Sequence, residues 1–533
     1  MDAEEQTMDF DCIIENGTIL DGSGREAFAA DVGISNGTIA AIGDLRACGA
    51  ARVIDAGGKT VTPGFVDIHR HADAAVFRDG FGEAELRQGL TTVLNGNCGL
   101  SVTPVAGEHA AAAEAYLYPV TGPLGPIPTG SLSAYRDALK CRPLPIHAGM
   151  LVGLGTVRVC VAGFRAGLDD ADIDAIHRLL ERELSSGALG VSLGLGYAPD
   201  CFFDTEGLIR ALEPIRNSDV VLSAHMRSES MNLLESIDEV LTVAKALNVP
   251  LEISHLKAVG KARRGNLIRD ALHRIDAARE DGLDVSCDAY PYTAGSTQLL
   301  HVLPPEFLEG GTETIAARLK DAQMQKRLLE RFRTGTDYDN YAMLIGWDSI
   351  RISSVRNDED RKYVGMTVKE AAGTEDPGRF TANLLAREKC AVTMIDRLTD
   401  EDDIAAIYQR PYASVISDAT YPVRGLWHPR VYGAFAHVIE RFVNERKSLS
   451  LADAVHKMTR LPADRYGLRS KGRIEVGADA DILVFDPKRV HARSTFIDPQ
   501  ALSEGFETVL VSGTPAVENG RVSGRCGGTV LER

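Results

Sequence analysis

His69 and His71 stand one residue apart at the end of an apolar run, "GFVDIHRHAD", residues 64–73. Side chains alternate faces along a strand, so the two imidazoles share a face, with Asp67 and Asp73 in phase and Arg70 on the other side. Neutral imidazoles so placed suit a metal ion such as zinc. A lone His-x-His is common on solvated strands too, and it is the company that separates the two readings. His225 ends "VVLSAHM" (220–226), His255 ends "PLEISHL" (250–256), Cys98 follows "TTVLN" (91–95) in "NGNCG", and Asp418 lies in "ASVISDA" (413–419). Five of eight candidate strands therefore finish near a histidine, cysteine or aspartate, which points to one shared mouth.

The elements that would position them alternate. Beside the strands above stand "FVDIH" (65–69), "LPIHAGML" (144–151), "LGVSLGL" (189–195) and "DVSCDAY" (284–290). Helical patterns separate most of them; "DDADIDAIHRLLERELSSG" opens on acids and closes on Gly187, as helix starts and stops do. Eight strand–helix units predict an α/β fold, a TIM-like (β/α)8 barrel over residues 64–469, with chemistry at the carboxyl ends of its strands. The gap from 291 to 412 is too long for one crossover and predicts an inserted subdomain or lid after strand seven, about 297–410. Residues 1–63 and 470–533 read as short strands and predict a small β-sandwich domain made from both chain ends. The Asn-Gly pairs at 16–17 and 36–37 predict tight hairpin turns.

With 533 residues, 44% hydrophobic and 25% charged, the chain has the composition of a soluble globular protein. A net charge of -17 argues against nucleic-acid or anionic-membrane partners. Nine cysteines without a CxxC pair suit reduced thiols, and "MDAEEQTMDF" lacks the basic flank and apolar core of a leader, so a cytoplasmic location is expected. No apolar run is long enough to span a membrane. "GLGYAP" and "GNCG" form no phosphate-binding pattern.

"PGFVDIHRHAD", "QGLTTVLNGNCGLS", "LGLGYAPD", "EISHLK", "DAYPYTAGST" and "HPRVYG" together resemble the N-acyl-D-amino-acid deacylases of the amidohydrolase superfamily, along nearly the whole chain. The resemblance implies a zinc-dependent hydrolase that splits an N-acyl-D-amino acid into a carboxylate and a free D-amino acid. It places one tight zinc on Cys98, His225 and His255, and a second, weaker position at His69 and His71. It makes Asp418 the acid/base. Strand four, "LGVSLGL", lacks the lysine that bridges metals in many relatives, so Cys98 takes that place. Zinc lowers the pKa of a water it holds to about 7, and Asp418 would relay the proton to the leaving nitrogen. His69 is the candidate donor to the developing oxyanion if the second position is empty.

For the substrate's carboxylate the resemblance carries over Lys257, Tyr290, Ser296 and Tyr197, with Arg430 as a further candidate. Left to itself, a lysine at a strand end is ordinarily a solvated charge. Glu252 is out of phase with His255 and is expected to face outward, as is Arg70. His301, His428 and His437 have no spacing that recommends them as ligands and read as structural or peripheral. The mostly apolar "AGSTQLLHVLPPEF" favours a neutral or hydrophobic side chain on the substrate. Two other readings remain at this point: a cyclic amidohydrolase of the hydantoinase or dihydropyrimidinase kind, disfavoured by the missing lysine, and a scaffold that kept the fold without chemistry, disfavoured by the full set of ligands. Oligomeric state is not legible.

Overall fold

The computed structural model describes residues 10–260, 266–422 and 424–533, so the N-terminal segment 1–9 lies outside the described residues. Eight short strands carry the fold: β1 (Phe65–Asp67), β2 (Leu90–Asn95), β3 (His147–Met150, continued as Val152–Gly153), β4 (Gly190–Gly194), β5 (Val221–His225), β6 (Leu251–Ile253), β7 (Val285–Ala289) and β8 (Ala413–Val415). Each is buried along its whole length, as strands covered on both faces must be.

Parallel pairing runs β1–β2–β3 and β3–β4–β5–β6–β7–β8. It then returns to its start. Arg70 and Ala419 form a parallel bridge just beyond the ends of β1 and β8, with Asp418 N donating to His69 O and His71 N to Ala419 O. Helices such as Asp170–Ser185, Leu233–Leu247 and Asn266–Glu280 fill the crossovers. Asp169 caps the first of these through Asp172 N, in line with the acids-first pattern.

Strands from both chain ends make one continuous nine-stranded sheet, joined where Ile482–Phe485 pairs antiparallel with Thr60–Pro63, rather than two separate sheets. The Asn36–Gly37 pair turns a hairpin between Phe28–Ser35 and Thr38–Gly43. The Asn16–Gly17 pair does not. It sits inside strand Cys12–Ile19 as a bulge, where Asn16 takes φ 60° and a Cβ on Gly17 would lie 2.5 Å from Val61. Between β7 and β8 an antiparallel sheet (Ala294–Gln298, Ile350–Ser354, Thr393–Arg397) packs with helices Gly311–Lys320, Ala322–Thr334 and Pro377–Arg387 around its own apolar core, which also takes in Cys98 and Leu100. Helix Glu401–Tyr408, inside the range expected for the insertion, contacts β8 and helix Asn266–Glu280 instead.

A buried charge cluster fastens the nine-stranded sheet to the parallel strands. Asp481 accepts from Lys471 Nζ (2.8 Å), His147 Nε2 (3.1 Å) and Ser512 N (2.8 Å), and its carbonyl accepts from Gly64 N. Burial raises the Asp481 pKa, but His147 and Lys471 outweigh it and hold the carboxyl well below its usual range. As the folded form then binds fewer protons than the unfolded, this contribution is complete above the ordinary carboxyl pKa and fades as pH falls below it. Asp481→Asn leaves the Lys471 charge with Asp479 alone, at 2.8 Å, and removes the carboxylate that His147 faces; it costs about 1–3 kcal/mol at pH 7, with a flatter acid limb of stability. Urea titrations across pH check both; a loss below about 1 kcal/mol at pH 7 would count against the cluster's role.

Candidate metal centre

Three site residues lie where a strand breaks off sharply. Cys98, His255 and Asp418 have φ of 56°, 37° and 52°, in the left-handed region that L-residues avoid. The break at His255 also corrects the phase expected for Glu252. Because β6 stops at Ile253 and His255 turns, the two side chains need not oppose each other. Glu252 is buried, accepts from Ser286 Oγ and pairs with Arg465 Nε at 3.2 Å. Burial, then repulsion from Asp288, raises its pKa.

Loop residues stitch the ends together. Asn95 Oδ1 accepts from Ala72 N (2.9 Å), and Asn97 Nδ2 donates to Ile68 O (3.3 Å), so "NGNCG" grips the chain around His71. Gly196 is required where it stands, because a Cβ there would lie 2.7 Å from His225 Nε2. Arg70 does point away from the imidazoles, but into protein and not solvent. Its guanidinium donates to Glu85 (2.7 Å), Asp67 (3.2 Å) and Tyr421 Oη (2.8 Å). Helix Glu83–Arg87 supplies the cover, and the tyrosine of "SDATYP" supplies a partner. Asp67 is spent on Arg70 and Ser417.

Cys98 Sγ lies 3.4 Å from His255 Nε2 and 3.2 Å from His69 Nε2; His225 Nδ1 lies 2.9 Å from His255 Nε2. Two trios result, Cys98–His225–His255 and His69–His71–Cys98, with the thiol common to both. All five residues are buried. Neighbouring ligand atoms in a tetrahedral zinc site lie roughly 3.3–3.6 Å apart, close to the spacings here. Burial lowers the pKa of His225 and His255 and takes His69 down to about 3, leaving neutral rings with free lone pairs. Burial also raises the Cys98 thiol, and a bound cation is what would reverse that. Soft sulfur and neutral nitrogens facing one another are a donor set that fits zinc.

Asp418 faces the second trio. Its Oδ1 is 3.3 Å from His71 Nε2 and 3.6 Å from His69 Nε2, and its Oδ2 accepts from Arg430 at 2.8 Å. Burial pushes its pKa up, but Arg430 and the histidines win, holding the carboxyl well below the usual range. Arg430 also donates to Ser296 O (2.9 Å), so the guanidinium is engaged with protein on two sides. Lys257 Nζ is 2.5 Å from Glu229 Oε1 and 2.9 Å from His255 Nδ1. The Tyr290 ring lies between the two cations, 5.8 Å from Lys257 Nζ and 5.1 Å from Arg430 Cζ. Tyr197 packs on His225 with ring centroids 4.5 Å apart and bonds Thr297 Oγ1 at 2.9 Å, joining β4 to the insertion.

Several further side chains crowd the centre. Asp288, at the end of β7, accepts from His255 N at 2.5 Å and lies 3.7 Å from His69 Nδ1; it carries the same polar-strand-end signal as the others. His301 is no peripheral residue: its ring is 5.0 Å from Tyr197 and 6.1 Å from His225. His428 and His437 are structural, the first bonding Ala294 O and the second stacking on Tyr292. Asp396 is buried with both carboxylate oxygens unpartnered, and burial raises it to about 7.

The amidohydrolase family pattern matches residues 52–122 and 427–517. D-aminoacylase of Alcaligenes xylosoxydans xylosoxydans is 31% identical over 100% of this chain and 99% of that protein. The chain belongs to the D-aminoacylase family. Within this family of amidohydrolases, N-acyl-D-glutamate deacylase of the same organism is 33% identical over 94% of this chain and 93% of its own. The solved N-acyl-D-glutamate deacylase of Bordetella bronchiseptica, complexed with zinc and a phosphonate inhibitor that mimics the tetrahedral intermediate, superposes with a TM-score of 0.84 at 30% identity, over 99% of this chain and 100% of that one.

Proposed function

We propose that this chain hydrolyses the amide bond of N-acyl-D-amino acids, giving a carboxylate and a free D-amino acid. The observation that carries the reading is the meeting of Cys98, His225 and His255 beside the Asp418 carboxylate. A (β/α)8 barrel over 64–469 would present them, with a small β domain from 1–63 and 470–533 beneath and the insertion above. Cys98, His225 and His255 would hold one zinc tightly, and His69 and His71 a second more weakly. When bound, zinc supplies Lewis acidity that makes water a nucleophile near neutral pH and polarises a carbonyl.

The chain's own groups do the rest. Asp418, ionised, takes a proton from the attacking water. As the C–N bond breaks, it delivers that proton to the departing nitrogen. While the second metal position is empty, His69 stands beside Cys98 as a donor to the carbonyl oxygen. Lys257, Tyr290, Ser296 and Tyr197 line the approach for the substrate's carboxylate, and Arg430 acts there through its grip on Asp418 and Ser296. Nine unpaired thiols support a reducing compartment, the cytoplasm.

A cavity of about 450 Å³ opens past His301, walled by Leu195, Leu303 and Leu308. Its charged rim is largely acidic, with Glu235, Glu239, Asp337 and Asp339, and its Arg227 is held by Glu239 at 2.9 Å. Arg331 likewise holds Asp337 at 2.8 Å, so the lining residues offer an anionic side chain no unpaired cation, which favours a neutral or hydrophobic one. With zinc present, N-acetyl-D-Leu and N-acetyl-D-Met should turn over at least about tenfold faster than N-acetyl-D-Glu. Faster N-acetyl-D-Glu hydrolysis rejects the side-chain preference. No turnover of any N-acyl-D-amino acid by the zinc-loaded protein rejects the activity.

A further inference from the structure

His255 presents Nε2 to Cys98 Sγ and His225 Nδ1, at 3.4 and 2.9 Å. A neutral imidazole has one N–H and one lone pair. If Nε2 faces an ion, its lone pair is used there, and the proton sits on Nδ1. Two groups lie within reach of Nδ1: Glu229 Oε1 at 3.0 Å and Lys257 Nζ at 2.9 Å. An ammonium has no lone pair to offer, so the carboxylate is the acceptor. Glu229 is buried and takes Lys257 Nζ on the same oxygen, at 2.5 Å.

Glu229 is itself clamped from outside the parallel strands. Asp339 lies in the insertion, between helices Ala322–Thr334 and Tyr341–Leu344. Its Oδ2 accepts from Glu229 N at 2.7 Å, and its Oδ1 accepts from Ser228 Oγ at 2.6 Å and from Ser230 Oγ. Val259 N donates to Glu229 O at 2.7 Å, tying the same loop to the segment after His255. One carboxylate of the insertion thus fixes three consecutive residues, and the middle one reaches His255.

We propose that Glu229 is a positioning residue that sets the tautomer and ring orientation of His255, and that Asp339 holds Glu229 in place. The insertion thereby tunes metal affinity at a centre to which it contributes no ligand. Partners of this kind raise the basicity of a ligating histidine, and their loss typically weakens metal binding about 10–100-fold. The proposal rests on His255 being a metal ligand, as read above.

The test is zinc affinity of the full-length chain, by competition with a chelating dye, for wild type, Glu229→Gln, Asp339→Asn and Asp481→Asn. Glu229→Gln should bind zinc about 10–100-fold more weakly, and Asp339→Asn several-fold more weakly. Asp481→Asn, which loosens the fold elsewhere, should stay within about twofold of wild type, separating positioning from general instability. Folded Glu229→Gln and Asp339→Asn variants with wild-type affinity overturn the proposal and leave the activity reading intact. A wild-type chain that takes up no zinc overturns both. Should Glu229→Gln fail to fold, Glu229→Asp keeps the charge but withdraws the carboxylate from His255 Nδ1, and an unchanged affinity there is equally decisive.

Discussion

Asp418→Asn lowers kcat on an N-acyl-D-amino acid by between about a hundredfold and ten-thousandfold, the range that a positioned proton carrier supplies, and leaves zinc content at the wild-type level. The substitution keeps the size of the side chain and an oxygen that can still accept from Arg430, which now donates at 2.8 Å. What it removes is the capacity to receive a proton. Because Arg430 and the histidines keep the carboxyl ionised despite burial, the receptive form is present throughout the neutral range. Steady-state kinetics beside metal analysis of the same preparations provide the check. A variant that keeps more than about a tenth of wild-type kcat takes Asp418 out of the proton path.

Cys98→Ala empties both trios of their common member, and zinc affinity falls by more than the roughly 10–100-fold that loss of an outer partner costs. The sulfur is 3.4 Å from His255 Nε2 and 3.2 Å from His69 Nε2, so no other side chain can replace it without moving a loop. Alanine accepts the same backbone, and the apolar neighbours around Cys98 are unchanged, so the fold should survive and the loss should appear in the metal alone. Chelator competition and metal analysis measure it. Unchanged zinc content would show that His225 and His255 suffice and that the thiol is a packing residue.

The six residues of the two trios and the carboxylate beside them were legible for a simple reason. His69, His71, Cys98, His225, His255 and Asp418 are polar groups at the ends of apolar runs, where a buried strand has little use for them. Asp288 carried the same mark. Glu229, Asp339 and Asp396 carried none, because their places depend on how a loop and a long insertion fold back over the strands, and no local period encodes that. Phase arguments failed where the backbone leaves the strand: Glu252 reaches the interior because β6 is short and His255 turns, and Asn16–Gly17 forms a bulge because its strand continues past it. Arg70 pointed the expected way, but "outward" in a layered fold means toward helices, so its charge had to find Glu85, Asp67 and Tyr421.

The left-handed backbone at Cys98, His255 and Asp418 sets heat resistance against chemistry. Each such non-glycine residue carries about 1–3 kcal/mol of conformational cost, which glycine would relieve. A library of this chain screened for thermal endurance alone would therefore admit glycine at these three positions as at the other left-handed ones, and would lose its reactive groups while it kept its shape.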